Sequence, residues 1–287
     1  MLTQSYAATG SSVFITGVAY QDRSGDGFYS IGEGRGNVTF SVAGGSDVTG
    51  AAGGYGIAIS PSASVDVTIS AGRTLGVVTV DASSGSVKLD LVGGKVMSSS
   101  DLDLVQGIKN AGLLGIADVD LGGNDLANKL TGNAGHNVIS GHGGRDKIVG
   151  AAGNDVLDGG LGHDRLWGGD GDDILNGAEG RDVLRGNAGS DRLSGGQGRD
   201  KLFGGSEADV FVFGDGFGRD QIMDFDGVTD GDVLDLTLLS SVVDFADLMA
   251  NHAKEVKAGV LISSASDTVL LKGTDLVDLQ VDDFLFA

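Results

Sequence analysis

Residues 132–212 read GNAGHNVIS, GHGGRDKIV, GAAGNDVLD, GGLGHDRLW, GGDGDDILN, GAEGRDVLR, GNAGSDRLS, GGQGRDKLF and GGSEADVFV, nine copies of one nine-residue phrase with no insertion or deletion. A fixed period this short means stacked identical units, and it outranks local propensity. Position 1 is Gly in every copy, from Gly132 to Gly204, and position 4 is Gly in all but the last, where Glu207 stands. Glycine at this spacing lets a turn take positive φ and lets neighbouring backbones come close. Position 8 is always large and apolar, from Ile139 and Ile148 through Leu157 and Leu202 to Phe211. Six residues therefore make a turn and three make a short strand with its middle side chain inward. One such strand is not stable alone. Stacked, the strands form parallel sheets over an apolar ladder. Two copies complete one coil, so copies n and n+2 are neighbours.

Position 6 carries the chemistry. It is Asn137 first, then Asp146, Asp155, Asp164, Asp173, Asp182, Asp191, Asp200 and Asp209. Aspartates two copies apart stand about one strand spacing apart, roughly 4.8 Å. Like charges that close repel unless a cation lies between them. Carboxylates and tightly turned carbonyls, with no Cys in the chain, are hard oxygen ligands that suit Ca²⁺. The phrase closely resembles the calcium-binding nonapeptide of RTX (hemolysin-type) proteins. That resemblance implies a parallel β-roll with several Ca²⁺ ions held between successive turns. A glycine-rich disordered linker would lack the apolar residue at every ninth position. Ahead of the repeats, residues 123–131 (GNDLANKLT) keep Gly123, Asn128 and Leu130 in phase and read as a degenerate, metal-poor entry coil.

Composition agrees. The chain has 287 residues, 52 Gly, one Pro and no Cys, with a net charge of −21. A secreted chain without cysteine needs something other than disulfides for stability, and metal is the obvious substitute. The negative charge argues against nucleic acid and against anionic membrane surfaces. The acid is almost all Asp, with only Glu33, Glu179, Glu207 and Glu255 as exceptions, which suits turns and ligands better than helices. No stretch approaches the roughly 18 apolar residues of a membrane span. The first residues, MLTQSYAATG, show neither the basic start nor the apolar run of a signal peptide. Alone, that reads as cytoplasmic; the family resemblance implies a secreted, extracellular protein instead.

Residues 1–95 read as an antiparallel β-sandwich. Alternating segments at 13–19, 38–42, 56–60, 65–70, 75–81 and 87–92 are separated by Gly-, Ser- and Asp-rich turns. Between the first two lies a second metal motif. Asp22, Ser24, Asp26, Phe28, Ser30 and Glu33 stand at positions 1, 3, 5, 7, 9 and 12 of a twelve-residue calcium loop, with Gly27 at position 6 and Phe28 offering its carbonyl. The flanks read as strands, so the loop staples a sandwich and opens no helix pair. It resembles the calcium loops of prealbumin-like β-sandwich repeats in bacterial adhesins.

Residues 96–121 read as a connector in which Ser100 caps a short helix through about Lys109. Residues 122–213 form the roll. Residues 214–287 form a β-rich cap with one short helix near 243–254 and strands near 259–263 and 268–271. This segment resembles the C-terminal cap of serralysin-type RTX proteins. The resemblance implies that the acidic, then hydrophobic end, Asp282-Asp283-Phe284-Leu285-Phe286, is an uncleaved signal for type I secretion machinery. Covering the open apolar end of the roll is the purely physical reading, and both can hold. Asp224, Asp226, Asp230 and Asp232 offer one further candidate calcium site.

The outward faces differ. Position 9 on one sheet reads Val149, Trp167, Arg185 and Phe203, so that Arg185 can stack between Trp167 and Phe203. The other sheet, judged from Ser140, Asp158, Asn176, Ser194 and Val212 at position 9, reads as polar. The Trp167 face meets either the chain's own cap or sandwich, or a surface or matrix partner.

No catalytic constellation is visible. There is no HExxH, no GxSxG elbow and no P-loop, and His136, His142 and His163 fall at turn positions of the repeat. The fold expectation is all-β: a parallel β-roll, an N-terminal antiparallel sandwich and a C-terminal cap. The functional expectation is a secreted, non-catalytic protein that folds on binding Ca²⁺. The alternatives are a calcium-dependent adhesin or matrix protein, and the C-terminal part of an RTX exoenzyme such as a serralysin-like metalloprotease.

Overall fold

Alternating apolar residues at the N-terminal end build two facing sheets. The computed structural model describes residues 13–20, 35–43, 45–49, 53–59, 64–83, 86–92 and 94–287. The described residues fall into two compact units that divide near residues 115–123.

The first unit contains β1 (Val13–Tyr20), β2 (Thr39–Val42), β3 (Gly45–Val48), β4 (Gly54–Ile59), β5 (Val65–Ser70), β6 (Thr74–Val80) and β7 (Val87–Val92). β4, β1 and β7 lie in one sheet and β3, β2, β5 and β6 in the other. Pairing is antiparallel except between β1 and β7, which run parallel. The Phe40 ring from one sheet stacks on Tyr55 from the other with centroids 3.8 Å apart. Ile15, Phe40, Ile69, Val78 and Leu89 are fully buried between them.

The segment that follows is not helical. Ser100 to Lys109 contains β9 (Leu102–Gln106), set between β8 (Lys95–Ser98) and β10 (Asn110–Leu113). Ser100 turns its hydroxyl to the Asp81 carbonyl instead of capping a helix. The residues Leu102, Leu104, Ala111 and Leu113 alternate inward, and alternation of period two builds strand. β10 pairs parallel with β8, and β11 (Leu121–Asn124) pairs parallel with β9. Parallel stacking therefore starts before the first nonapeptide.

The second unit is a β-solenoid of parallel strands, one coil every eighteen residues. Its elements are β12 (Lys129–Thr131), β13 (Val138–Gly144), β14 (Lys147–Ala152), β15 (Val156–Asp158), β16 (Leu161–Gly162), β17 (Arg165–Asp170), β18 (Ile174–Asn176), β19 (Glu179–Gly180), β20 (Val183–Ala188), β21 (Arg192–Ser194), β22 (Gln197–Gly198), β23 (Lys201–Ser206) and β24 (Val210–Gly214). Register is strictly eighteen residues: Ile148 faces Leu166, Leu166 faces Leu184, and Leu184 faces Leu202. Position 8 is buried in every coil, from Ile139 to Phe211. The even copies make longer strands than three residues, because β14, β17, β20 and β23 run on through position 3 of the next copy.

The cap continues both sheets. β25 (Arg219–Ile222) stacks on β23, and β26 (Val233–Leu238) stacks on β24. A three-residue helical turn, α1 (Phe245–Asp247), capped by the Asp244 carboxylate, runs into a wider turn at Leu248–His252. β27 (Ala253–Val256), β28 (Gly259–Ser264) and β29 (Asp267–Lys272) form an antiparallel meander, with β29 parallel to β25. Finally β30 (Phe284–Leu285) pairs with β26 and buries Phe284. Phe213, Phe217, Leu234, Leu236 and Phe284 close the apolar end of the roll.

Candidate metal centre

The repeat turns position one carboxylate per half-coil. Position 6 lies two residues before the inward position 8, so the Asp side chain also turns inward, under the turn and not into water. Asp146, Asp155, Asp164, Asp173, Asp182, Asp191, Asp200 and Asp209 are all at most 3% exposed.

One oxygen of each is held by backbone. The Asp146 amide donates to Asp164 Oδ1 (2.7 Å), Asp164 to Asp182 (2.7 Å) and Asp182 to Asp200 (2.7 Å). The other column is alike: Asp155 donates to Asp173 (2.7 Å), Asp173 to Asp191 (2.8 Å) and Asp191 to Asp209 (2.9 Å). The second oxygen, Oδ2, is buried and has no hydrogen-bond partner in any of these eight residues, nor in Asp220. A buried unpaired carboxylate oxygen is costly, and nine in a row call for positive charge at Oδ2.

A second oxygen waits beside each one. A Cβ added to Gly141 would lie 2.5 Å from Asp146 Oδ2 and 2.6 Å from the Gly159 carbonyl of the next coil. At Gly177 the same point is flanked by the Gly195 carbonyl (2.6 Å) and Asp182 Oδ2 (2.8 Å). Gly150, Gly159, Gly168 and Gly186 repeat the arrangement. Position 1 is thus glycine because any side chain would occupy the space where carboxylate and carbonyl oxygens converge. Among the described residues no three His, Cys, Asp or Glu side chains meet at one point. The donor set is therefore one carboxylate per copy completed by backbone carbonyls, which are hard oxygens suited to Ca²⁺.

Burial sets the electrostatics. Desolvation, partly offset by the amide bond to Oδ1, raises the carboxyls of Asp146, Asp173, Asp182 and Asp191 to about 7 and Asp209 to about 8. Neighbouring carboxylates add to the rise at each of these. Without a cation these five carboxyls hold protons near neutrality.

Both ends of the ladder depart from the repeat. At the start, Asn137 and Asn128 replace Asp, and their amides donate to Asn133 Oδ1 (3.2 Å) and Asn124 Oδ1 (3.1 Å). An amide supplies its own donor where the carboxylate lacks one, so the entry coils need no ion at these positions. At the far end, Asp220 continues the even column by accepting the Asp200 amide (2.8 Å), and burial raises it to about 7. Sequence reading passed over Asp220, although Gly218-Arg219-Asp220-Gln221-Ile222 echoes Gly198-Arg199-Asp200-Lys201-Leu202 at a spacing of twenty. The candidate cluster of Asp224, Asp226, Asp230 and Asp232 does not form. Asp232 takes the Asp209 and Asp226 amides on its two oxygens, Asp226 closes its own turn with Val228 and Thr229, and Asp224 accepts Gly204. Asp22, Ser24, Asp26, Phe28, Ser30 and Glu33 lie outside the described residues.

The outward faces also differ from expectation. Arg185 stacks on Phe203 alone (3.6 Å), while Trp167 is half-buried beneath Lys147 (4.8 Å). The opposite sheet is not polar throughout. Its position 7 exposes Val138, Val156 and Ile174.

Residues 122–157, 149–184 and 185–220 match the family model described as RTX calcium-binding nonapeptide repeat (4 copies). Among solved structures, a subunit of the Azotobacter vinelandii mannuronan C5-epimerase is similar at 32% identity, covering 44% of this chain and 79% of that one, with a TM-score of 0.36. The extracellular lipase of Serratia marcescens is similar at 16% identity over 64% of this chain, with a TM-score of 0.28. This chain spans 45% of the lipase's length. No curated protein matches the chain.

Proposed function

Residues 122–220 carry the RTX calcium-binding repeat, and from that premise we propose that the chain is a secreted, non-catalytic module whose roll folds when it meets extracellular calcium. The observation that carries the reading is the row of nine buried Oδ2 atoms without partners. In the folded chain each would be held by Ca²⁺ shared with the position-1 carbonyl of the next coil. Asp146, Asp155, Asp164, Asp173, Asp182, Asp191, Asp200 and Asp209 are the ligands proposed here, with Asp220 added. Calcium supplies the positive charge that lets the coils stack; the protein supplies oxygens spaced by its register.

The coupling to folding follows from linkage. Glycine-rich turns lose much backbone entropy on ordering, and stacked carboxylates repel. A roll without cations therefore stays unfolded, and metal-binding free energy becomes folding free energy. Extracellular calcium modules bind at about 10⁻⁴–10⁻³ M, well above cytosolic calcium. The chain would leave the cell unfolded through a type I system and fold outside. In the folded protein the proposed export tail is docked, since Phe284 pairs with Leu234 and is buried. Export would read it before that contact forms. The loop at Asp22–Glu33 would extend the calcium dependence to the sandwich.

Calcium titration followed by circular dichroism tests the proposal. A cooperative gain of β-structure at millimolar Ca²⁺, with no comparable gain in Mg²⁺, is the expected result. A chain already folded in chelator, or one that responds equally to Mg²⁺, would sink it.

A further inference from the structure

Charge on the roll is sorted by copy. Of the eight Lys and Arg residues between Gly132 and Val212, seven stand in even copies. The exception, Arg192, is ion-paired with Asp235 at 2.7 Å. Acids outside the ladder sort the other way: Asp158, Asp170, Asp172 and Glu207 stand in odd copies, and only Glu179 in an even one.

Position 5 shows that turn geometry does not demand this. In the odd column its side chains accept the amide of the coil above. Asn154 donates to His136 Nδ1 (2.7 Å), Asp172 to Asn154 Oδ1 (3.1 Å) and Ser190 to Asp172 Oδ1 (2.9 Å). The even column holds Arg145, Arg181, Arg199 and then Arg219, and only His163 there accepts, from Arg181 (3.0 Å). Arginine has no acceptor, so each gives up a bond that His, Asn or Asp makes. Among the described residues none of these arginines forms an ion pair with a carboxylate.

Three of them converge. Arg181, Arg199 and Arg219 precede Asp182, Asp200 and Asp220, whose amide-to-carboxylate bonds tie consecutive coils. The guanidinium groups therefore repeat at about one strand spacing, and with Lys201 they line one surface cleft. Asp200 borders the cleft but is already engaged beneath the turn, and Glu179 opens onto a different cleft beside Gln197. Stacked cations repel as the stacked aspartates do. A column of anions at the same pitch relieves them.

We propose that this even-copy edge binds a linear acidic polysaccharide, through carboxylate or sulfate groups spaced along the chain at about the pitch of the coils. The cleft follows one edge of the coils, with Arg181, Arg199 and Arg219 one above the other and Lys201 beside them, which fits a single extended chain and not a duplex. Trp167 and Phe203 have their rings covered by Lys147 and Arg185, leaving no open platform for base stacking. The net charge of −21 opposes an anionic membrane. The proposal rests on the calcium-folded roll, because only stacking aligns the arginines.

The test uses the full chain in millimolar Ca²⁺ with fluorescently labelled oligogalacturonate and heparin oligosaccharide, one carboxylated and one sulfated. Binding of at least one is expected, and which one identifies the anion. The triple variant R181Q/R199Q/R219Q should weaken binding by about tenfold or more and lower the salt-dependence slope by about one per arginine. The control K254Q/K257Q/K272Q, on the cap, should stay within about twofold. Calcium-induced circular dichroism should be the same in all three proteins. Equal loss in the control, or equal binding of a neutral dextran oligosaccharide, duplex DNA or phosphatidylserine vesicles, overturns the proposal. A wild type that folds with calcium and ignores both oligosaccharides defeats this proposal alone; a wild type that never gains β-structure defeats the folding proposal and this one with it.

Discussion

The amide of Asp164 donates a 2.7 Å hydrogen bond to Oδ1 of Asp182, eighteen residues later, and Oδ2 of the same carboxylate is buried with no partner. One oxygen thus fixes the register between coils while the other is left for a cation. Register and metal binding are carried by a single side chain, so a change to it is felt in both.

Replacing Asp182 with Asn separates the two roles. An amide can keep Oδ1 for the Asp164 N–H, and it replaces the charged Oδ2 with a neutral donor of the kind the Asn137 side chain presents to Asn133 Oδ1 in the first copy. The expected outcome is one fewer calcium ion by titration calorimetry and a calcium-loaded state weaker by about 1–3 kcal/mol. Unchanged stoichiometry would exclude Asp182 as a ligand.

Glycine at position 1 and alanine at position 2 should respond in opposite directions. The Cβ of Gly186→Ala would press on Asp191 Oδ2 and the Gly204 carbonyl, so calcium affinity at that coil should fall. Ala178 sits at φ 69, a left-handed conformation that costs a residue with a Cβ about 1–2 kcal/mol. Ala178→Gly relieves this but adds freedom to the unfolded chain, for a net gain of about 0.5–1 kcal/mol. Chemical denaturation in saturating calcium checks both.

Leu184 is fully buried between Leu166 and Leu202. Leu184→Ala should cost about 2–5 kcal/mol through lost burial and the cavity left behind. The calcium midpoint should move to higher concentration although no ligand is touched, because binding and folding are one equilibrium. A loss below about 1 kcal/mol would mean that the coils collapse around the gap.

Acid should stabilise the calcium-free roll. Desolvation raises the ladder carboxyls from 3.8 to about 7 at Asp146, Asp173 and Asp182 and to about 8 at Asp209. A raised folded value means that the roll holds protons the unfolded chain has released. That stabilisation is fully present below 3.8 and is lost as pH climbs through about 7 to 8. Circular dichroism in chelator should therefore show more β-structure at about pH 5 than at about pH 8. Protons compete for Oδ2, so the calcium midpoint at about pH 5 should lie higher than at about pH 8. Coincident curves at the two values would contradict this.

Much of the site was legible because the repeat is strict. The inward ladder from Ile139 to Phe211 and the Asp column from Asp146 to Asp209 follow from phase alone; the ladder is buried as expected, and the burial of the Asp column is the structure's addition. Legibility failed where the phase changed. Asp220 stands twenty residues after Asp200 instead of eighteen, so counting missed a carboxylate that register recovers. Ser100 has the look of a helix cap, yet Leu102 and Leu104 gain more from alternating into a sheet. Judging the odd face by position 9 overlooked Val138, Val156 and Ile174 at position 7.

By itself the sequence determined the period, the residues that point inward and the oxygen chemistry of the turns, because these depend only on spacing along the chain. The tertiary structure decided which oxygen of each aspartate is spoken for, which carbonyl stands opposite it, and that Arg181, Arg199 and Arg219 share one cleft. Those relationships join residues eighteen or twenty positions apart. They exist only once one coil rests on the next and brings its amides, carbonyls and charges to the same height.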